Sequence, residues 1–325
     1  MIYPKLKPME EIKVSVIIPI YGVEDYIERC ARTLFGQTMR NGIEYIFVDD
    51  CTPDRSVEIL QETLKEYPER AEQVTILTHP TNKGLAATRK TGVRVARGEY
   101  IIHCDSDDWV EPEMYRLMYE EANRTHADMV VCDYINEYET GSEPVKQEFN
   151  ANTTNQLIDL IEWRLHTMVW LRMFRRSFYE SFGMDSPDVN RDEDFPVSFV
   201  AHALSSKVSY LPLPLYHYNR INPGSITARD SCRNFEDSVK VWSYVRDFVH
   251  TQPADKELES VLNRRISKVR NKILRYREIY DLDRWRNLWP DLKLKDCFNL
   301  RSKVWFILAK LRLEFILRIF MKGDV

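Results

Sequence analysis

A mostly parallel α/β sheet with helices on both faces, followed by a helical C-terminal region, is the fold class this 325-residue sequence predicts. Three observations carry the prediction. Short apolar runs alternate with amphipathic segments as far as Cys132, with brief connections between them. Clusters of aspartate stand directly after two of those runs. From about Phe235 onward only helical periodicity remains.

The first run, Val14 to Ile20, is almost continuously apolar and reads as a buried strand. Asp25 to Phe35 then places Tyr26, Ile27, Cys30 and Leu34 at helical spacing. Tyr45 to Val48 is a second strand, stopped by Asp49 and Asp50. Asp54 or Ser56 can cap a helix running to Leu64. Val74 to Leu77 is a third strand, and Leu85 to Val95 a helix closed by Gly98. Tyr100 to Cys104 is a fourth strand, Glu113 to Asn123 a helix, and Met129 to Cys132 a fifth strand. Gly141 to Thr154 is polar and reads as a loop, and Leu157 to Leu165 as a helix. Val208 to Tyr218 carries prolines at alternate positions, which predicts an extended edge segment. A domain boundary is expected near Ala228. Residues 1–227 would form the α/β domain, divided near 132, and 228–325 a helical extension.

The run ending in Asp105, Ser106, Asp107 and Asp108 is the most informative stretch. Three carboxylates within four residues repel one another and resist burial. Water or a cation must offset them. A hard cation such as Mg²⁺ takes one or two carboxylates and completes its shell with water and substrate phosphates. The alternation of Asp105 and Asp107 therefore suggests a metal–diphosphate site, with an acidic turn before a helix as the plainer alternative. In parallel sheets ligands sit beyond the carboxyl ends of the strands. Tyr21, the Asp49–Asp50 pair and the Asp105–Asp108 cluster all fall at such ends.

Six cysteines are scattered without a C-x-x-C pair, which fits reduced thiols in a cytosolic protein rather than a disulfide frame or zinc site. Met1 to Met9 has no apolar signal-peptide core. No run of about 20 uncharged apolar residues is present, so a spanning helix is not expected. The net charge of −4 hides an asymmetry: Val261 to Val325 holds 17 Lys+Arg against 7 Asp+Glu. A basic tail suggests an anionic partner.

With these pieces in order, Lys13 to Thr227 closely resembles the family 2 inverting glycosyltransferases of bacteria, which have the GT-A fold. Val14 to Tyr21 is similar to a first strand that usually ends Pro-x-Tyr-Asn, with Gly22 here replacing the Asn. Val48 to Asp54 resembles the usual Val-Asp-Asp-Gly-Ser-Thr-Asp. Asn82 to Gly92 is similar to Asn-x-Gly-x-x-x-x-Arg-Asn-x-Gly, with Lys90 where Asn is usual. Asp105 to Trp109 resembles the D-x-D region, and Glu193-Asp194 the late Glu-Asp pair.

The resemblance implies transfer of a sugar from a nucleotide-diphosphate donor, usually a UDP-sugar, to a hydroxyl of a glycan or polyprenyl-linked acceptor, with inversion. It implies that Asp50 hydrogen-bonds the base, that Tyr21 flanks it, and that Pro19 shapes the same pocket. A packed loop aromatic is the alternative for Tyr21. Asp107 would hold Mg²⁺ or Mn²⁺, with Asp105 at the ribose or a metal-bound water. Arg89 would face the nucleotide, or else be an ordinary surface arginine; Lys83 is in the same position. Asp194 would be the general base, with Glu193 beside it, and an N-terminal helix acid is compatible with that role. Trp170 and Arg172 stand where the family often has Trp-x-Lys-Leu and would contact donor sugar or acceptor. His217 is a second candidate metal ligand, with a hydrogen-bonded neighbour of the core as its alternative.

Val304 to Met321 reads as one amphipathic helix with Lys303, Lys310, Glu314 and Arg318 in a polar stripe. It suits an anionic membrane surface engaged through 301–325, and hence a cytoplasmic enzyme on the inner face of the membrane. Docking on protein is the alternative. The tail has no nucleic-acid-binding motif. A sugar-nucleotide pyrophosphorylase would need a glycine-rich, basic loop after the first strand, which Tyr21 to Glu24 does not provide. A catalytically silent glycan-binding scaffold is disfavoured by Asp50, Asp107 and Asp194. No G-x-G-x-x-G follows the first strand, which disfavours a NAD enzyme.

Overall fold

The computed structural model describes residues 11–150, 152–189, 191–222 and 234–319. The N-terminal nine residues, the expected boundary at Ala228, Cys232 and Phe320 lie outside the described residues. The chain divides into two compact units interleaved in sequence. One holds Met1–Phe149, Met168–Asp188 and Leu204–Pro223; the other holds Asn150–Thr167, Val189–Ala203 and Gly224–Val325.

The first unit opens with β1 (Val14–Ile20), α1 (Ile27–Phe35), β2 (Ile43–Asp49), α2 (Ser56–Leu64), β3 (Val74–Thr78), α3 (Leu85–Val95) and β4 (Tyr100–His103). The short β5 (Trp109–Val110), α4 (Met114–Thr125), β6 (Met129–Tyr138) and β7 (Gly141–Val145) follow. After α5 (Thr153–Ile161), which belongs to the second unit, come β8 (Arg172–Arg175) and α6 (Arg176–Glu180). Beyond α7 (Asp194–Leu204) the sheet is completed by β9 (Val208–Asn219).

The strands run in the order β3-β2-β1-β4-β8-β6-β9-β5, with β7 paired to β6. From β3 to β4 every pair is parallel, as the alternating pattern predicts. Beyond β4 the sheet is mixed: β8 runs antiparallel to both β4 and β6, while β9 is parallel to β6. Strand side chains alternate between faces. Val14, Val16, Ile18 and Ile20 join a core with residues of α1 and α4. Ile17, on the opposite face, meets Gly92 of α3, where an added Cβ would lie 2.5 Å from Ile17 Cγ2. Helices thus cover both faces.

Four readings are corrected. Gly141 to Thr154 is not all loop, since Gly141–Val145 pairs antiparallel with β6. This strand is polar and exposed, and its Pro144 is tolerated because one edge is open. Gly98 is not the α3 cap; that position is Ala96. A Cβ on Gly98 would lie 2.6 Å from the backbone nitrogen of Ser15, so the glycine permits close approach to β1. The proline-bearing strand β9 is an edge only in part. It pairs with β6 along its length and with β5 at one end, and Pro212 and Leu213 fall at a register shift beside Cys132 and Asp133. The C-terminal helix is two helices, described next.

The second unit adds α8 (Phe235–Thr251), α9 (Lys256–Arg270), α10 (Lys272–Arg275), α11 (Leu282–Asn287), α12 (Leu300–Lys310) and α13 (Glu314–Ile319) to α5 and α7. Asp255 caps α9 by accepting from the backbone of Glu257 and Leu258, and Asn299 caps α12 through Ser302. Phe195 packs on Trp242 at 4.5 Å, and Trp285 on Phe306 at 5.3 Å. Arg312 takes a left-handed φ of 57° and separates α12 from α13. Trp305 and Phe306 are buried in this unit and turned away from any membrane surface, whereas Phe315 is 81% exposed.

Candidate active site

The first unit concentrates its polar chemistry at the carboxyl ends of β1, β2, β3 and β4. Pro19 is buried near the end of β1, paired with Val48 of β2, and Tyr21 just beyond is 52% exposed. Gly22 adopts φ 66°, a region that glycine and asparagine enter most readily. This accounts for glycine where asparagine is usual. The loop holding Tyr21 is fastened to the loop after β2. Gly22 N donates to Thr52 Oγ1 at 2.9 Å, Val23 N to Ser56 Oγ at 3.1 Å, and Glu24 N to Asp54 Oδ2 at 2.9 Å.

Asp50 is 3% exposed and organises a second loop. Its Oδ1 accepts from Lys83 N and its Oδ2 from Gly84 N, both at 2.8 Å. Oδ1 also lies 2.7 Å from His79 Nδ1, whose Nε2 meets Thr91 Oγ1 at 3.0 Å. His79, just past β3, was not singled out from the sequence. Cys51, next to Asp50, holds φ 58° where the motif usually has glycine. Lys83 is exposed at the mouth of this loop.

At the end of β4, Arg89 Nη2 pairs with Asp105 Oδ1 at 2.7 Å, and the arginine is buried. Arg89 is therefore not an ordinary surface arginine. Asp107 Oδ2 accepts from Asn222 Nδ2 at 2.8 Å, and its carbonyl accepts from Asn219 Nδ2 at 3.1 Å. Asp108 is fully buried, accepting from Tyr216 Oη and Asn219 N, both at 2.7 Å. Burial pushes the Asp107 carboxyl above its ordinary range, and the Asp105 charge adds to the shift. Burial raises Asp108 much further, with Asp107 and Asp105 contributing. The three carboxylates thus divide into a buried one that braces β9 and two that keep some exposure. Asn219 and Asn222 gave no sequence signal, because they lie more than a hundred residues away from the cluster they serve.

Other expectations are redirected. His217 was a second candidate metal ligand, but both its ring nitrogens are engaged. Nδ1 lies 2.7 Å from Glu137 and Nε2 2.9 Å from Glu111, with the ring stacked on Trp109 at 5.2 Å. Trp170 is 1% exposed and stacks on Tyr216 at 4.0 Å, so it is a core residue rather than a sugar contact. Arg172 is fully buried at the start of β8 and donates to the Met168 carbonyl at 2.8 Å. It too has no surface for substrate.

Asp194 and Glu193 belong to the second unit, where Asp194 opens α7. Both are partly exposed. The amide of Phe195 donates to the Asp192 carbonyl at 3.1 Å, which fixes the approach to the helix. Asp192 holds φ 59°, and burial raises its carboxyl while Arg191, Lys272 and Arg265 oppose the shift.

Residues 15–183 match the sequence profile of Glycosyl transferase family 2. The chain is similar to EpsH of Bacillus subtilis, 34% identical over 242 residues, covering 72% of this chain and 68% of that protein. It is also similar to EpsJ of the same organism, 35% identical over 222 residues, covering 66% of this chain and 62% of EpsJ. Among solved structures, Staphylococcus aureus TarS 1–349 in complex with UDP-GlcNAc superposes with a TM-score of 0.72 at 16% identity. That match covers 94% of this chain and 89% of the other, and it shows a shared fold.

Proposed function

The chain belongs to glycosyl transferase family 2, and from that premise we propose that this nucleotide-sugar glycosyltransferase joins a sugar from a UDP-sugar to a hydroxyl of a glycan or polyprenyl-linked glycan, with inversion. The observation that carries the reading is the convergence of Tyr21, Asp50, the Arg89–Asp105 pair and Asp107 at the carboxyl ends of β1, β2 and β4. That TarS is solved with UDP-GlcNAc supports the choice of a uridine donor.

Tyr21 offers an exposed aromatic face to the base, and Pro19, two residues earlier at the buried end of β1, would shape the same pocket. Asp50 holds the Lys83–Gly84 backbone in place and is assigned to the base. The residues present fit a hard divalent cation. Asp107 keeps its proton more tightly because burial and Asp105 disfavour its charge, and a cation would relieve both effects. Among the described residues no set of three or more His, Cys, Asp or Glu forms a cage. A partial donor set suits Mg²⁺ or Mn²⁺, which takes one or two carboxylates and completes its shell with phosphate oxygens and water. Asp107 would hold the ion, with Asp105 at an inner water or the ribose. When bound, the ion neutralises charge growing on the diphosphate leaving group. Arg89, anchored by Asp105, adds a positive charge in the same region.

Asp194 takes the proton of the attacking hydroxyl as it reaches the anomeric carbon, with Glu193 beside it. One displacement on one face inverts that carbon. The exposed apolar line of Leu300, Val304, Ile307 and Leu311, continued by Phe315 and Ile319, supports seating on an anionic membrane surface at the cytoplasmic face. No described helix is long and apolar enough to cross a membrane.

The test is calorimetric titration of UDP and a panel of UDP-sugars with Mn²⁺ present and again after chelation. The reading expects saturable binding that the chelator weakens. If no uridine nucleotide binds with Mn²⁺ present, the proposal fails.

A further inference from the structure

We propose that the cleft between the end of α5, one face of α9 and the residues leading into α12 is a binding subsite for an acidic glycan. It rests on the glycosyltransferase reading only in making that glycan the acceptor. All the residues concerned belong to the second unit.

The cleft has a volume of about 490 Å³ and is lined by Trp163, Arg164, Arg264, Arg265, Lys268 and Phe298. Small-ligand pockets span roughly 300–1,000 Å³. Arg264, Arg265 and Lys268 share one face of α9 because helix positions three and four apart are neighbours. Their charges are poorly compensated. Arg164 is paired with Asp159 at 2.6 Å and with Glu162, a further lining residue. By contrast, Arg264 and Lys268 make no ion pair among the described residues and are exposed. Arg265 keeps a buried Nε with no hydrogen-bond partner among the described residues. Partial desolvation, and then the neighbouring charges of Arg265, Lys272 and Arg275, lower the Lys268 pKa.

Arg264 and Lys268, cations without an ion pair among the described residues, call for an anion, and arginine favours carboxylate or phosphate. Its walls call for something besides an ion. Trp163 is partly exposed, with the Arg265 guanidinium 5.3 Å from its ring centre, and Lys268 Nζ stands 5.2 Å over the ring of the exposed Phe298. Flat aromatic faces beside fixed cations suit a ligand with apolar ring faces and anionic substituents. A pyranose presents its C–H groups to such a face, and a uronic acid or sugar phosphate adds the charge.

The cleft adjoins the segment that carries Asp194. Trp163 packs against Phe195 at 5.8 Å, and Arg265 senses the charge of Asp192. An acidic glycan held here would lie beside the head of α7.

The test uses the full chain and three size-matched probes: an oligogalacturonate, a glycerol-phosphate oligomer and neutral maltohexaose. Each is titrated into the wild type and into Arg264→Glu/Lys268→Glu, whose exposed positions spare the core. The expected result is saturable binding of at least one acidic probe, weakened about tenfold or more by charge reversal, with no saturable binding of maltohexaose. Which acidic probe binds more tightly identifies the anion. Equal binding of the acidic probe by both proteins, binding of maltohexaose as tight as that of the acids, or no acidic binding would overturn the proposal. So would vesicles of phosphatidylglycerol binding through these residues without competition from either acid. UDP titrated into the same samples should bind both proteins alike. Failure of UDP to bind the wild type would count against the donor reading, while the acidic probes report on the cleft separately.

Discussion

Replacing Asp50 by alanine separates two duties that the carboxylate performs. In the folded protein it accepts from Lys83 N, Gly84 N and His79 Nδ1, all between 2.7 and 2.8 Å. Hydrogen bonds to a charged acceptor contribute about 1.5–3 kcal/mol each. The two backbone donors alone set a ceiling of about 3–6 kcal/mol by that measure. Lys83 is exposed, so water can replace part of what is lost. A destabilisation of about 2–4 kcal/mol follows. At 2–4 °C per kcal/mol, that lowers the melting temperature by about 5–15 °C. Asp50→Asn keeps one acceptor oxygen and should fall between wild type and alanine. Scanning fluorimetry, with UDP titration below the transition, reads both duties. Asp50→Ala melting with the wild type would refute the claim that this carboxylate fastens the loop. Destabilisation with unchanged UDP affinity would leave the loop role and remove the base contact.

Asp194→Asn should transfer sugar about 10²–10⁴-fold more slowly while binding donor normally, since only the acceptor proton needs a base; wild-type turnover, or a product of retained configuration by NMR, would count against it. Cys51→Gly should raise stability by about 0.5–1 kcal/mol, because the left-handed φ costs an L-residue about 1–2 kcal/mol and glycine returns part of this as chain entropy. His103 is fully buried, and burial followed by Arg89 holds its pKa well below the usual value. The unfolded chain binds this proton below about pH 6.5 and the folded chain does not. The stability His103 contributes is thus present above pH 6.5 and lost as pH falls. Between pH 7.5 and 5.5 the wild type should lose about 1.4 kcal/mol more than His103→Leu, measured by urea denaturation. Leu311→Glu/Phe315→Glu should release the protein from phosphatidylglycerol vesicles in flotation at low salt, and equal flotation of the two proteins would argue that α12 and α13 serve a protein contact instead.

Much of the first unit was legible in the sequence because its first strands are apolar runs, two of them ended by aspartates. β1 to β4 and their helices lie within a few residues of their expected ranges. β8 was not legible, for it is four residues long and carries two arginines, one of them buried in a position that pattern reads as surface. Trp170 misled for a related reason. A tryptophan beside a motif looks like a sugar platform, and only the stack on Tyr216 reveals it as core. The clustering of Asp105, Asp107 and Asp108 was plain, but their different roles depend on Arg89, Asn222 and Tyr216, which reach them from a helix, a loop and another strand. The tail was legible in composition and misread in continuity, because nothing in Leu311 to Leu313 forecasts the left-handed turn at Arg312.

The chain passes between its two units at 149/150, 167/168, 188/189, 203/204 and 223/224. Neither unit is therefore a cassette. A single crossover between 167 and 224 would part α5 from the terminal helices, handing the hybrid a second unit assembled from two ancestries. Inheritance by module exchange is closed to such an architecture. Changes to the second unit must arise through substitutions made in place, in 150–167, 189–203 and the terminal helices together. Engineers building chimeras from these enzymes face the same constraint and should transplant three segments or none.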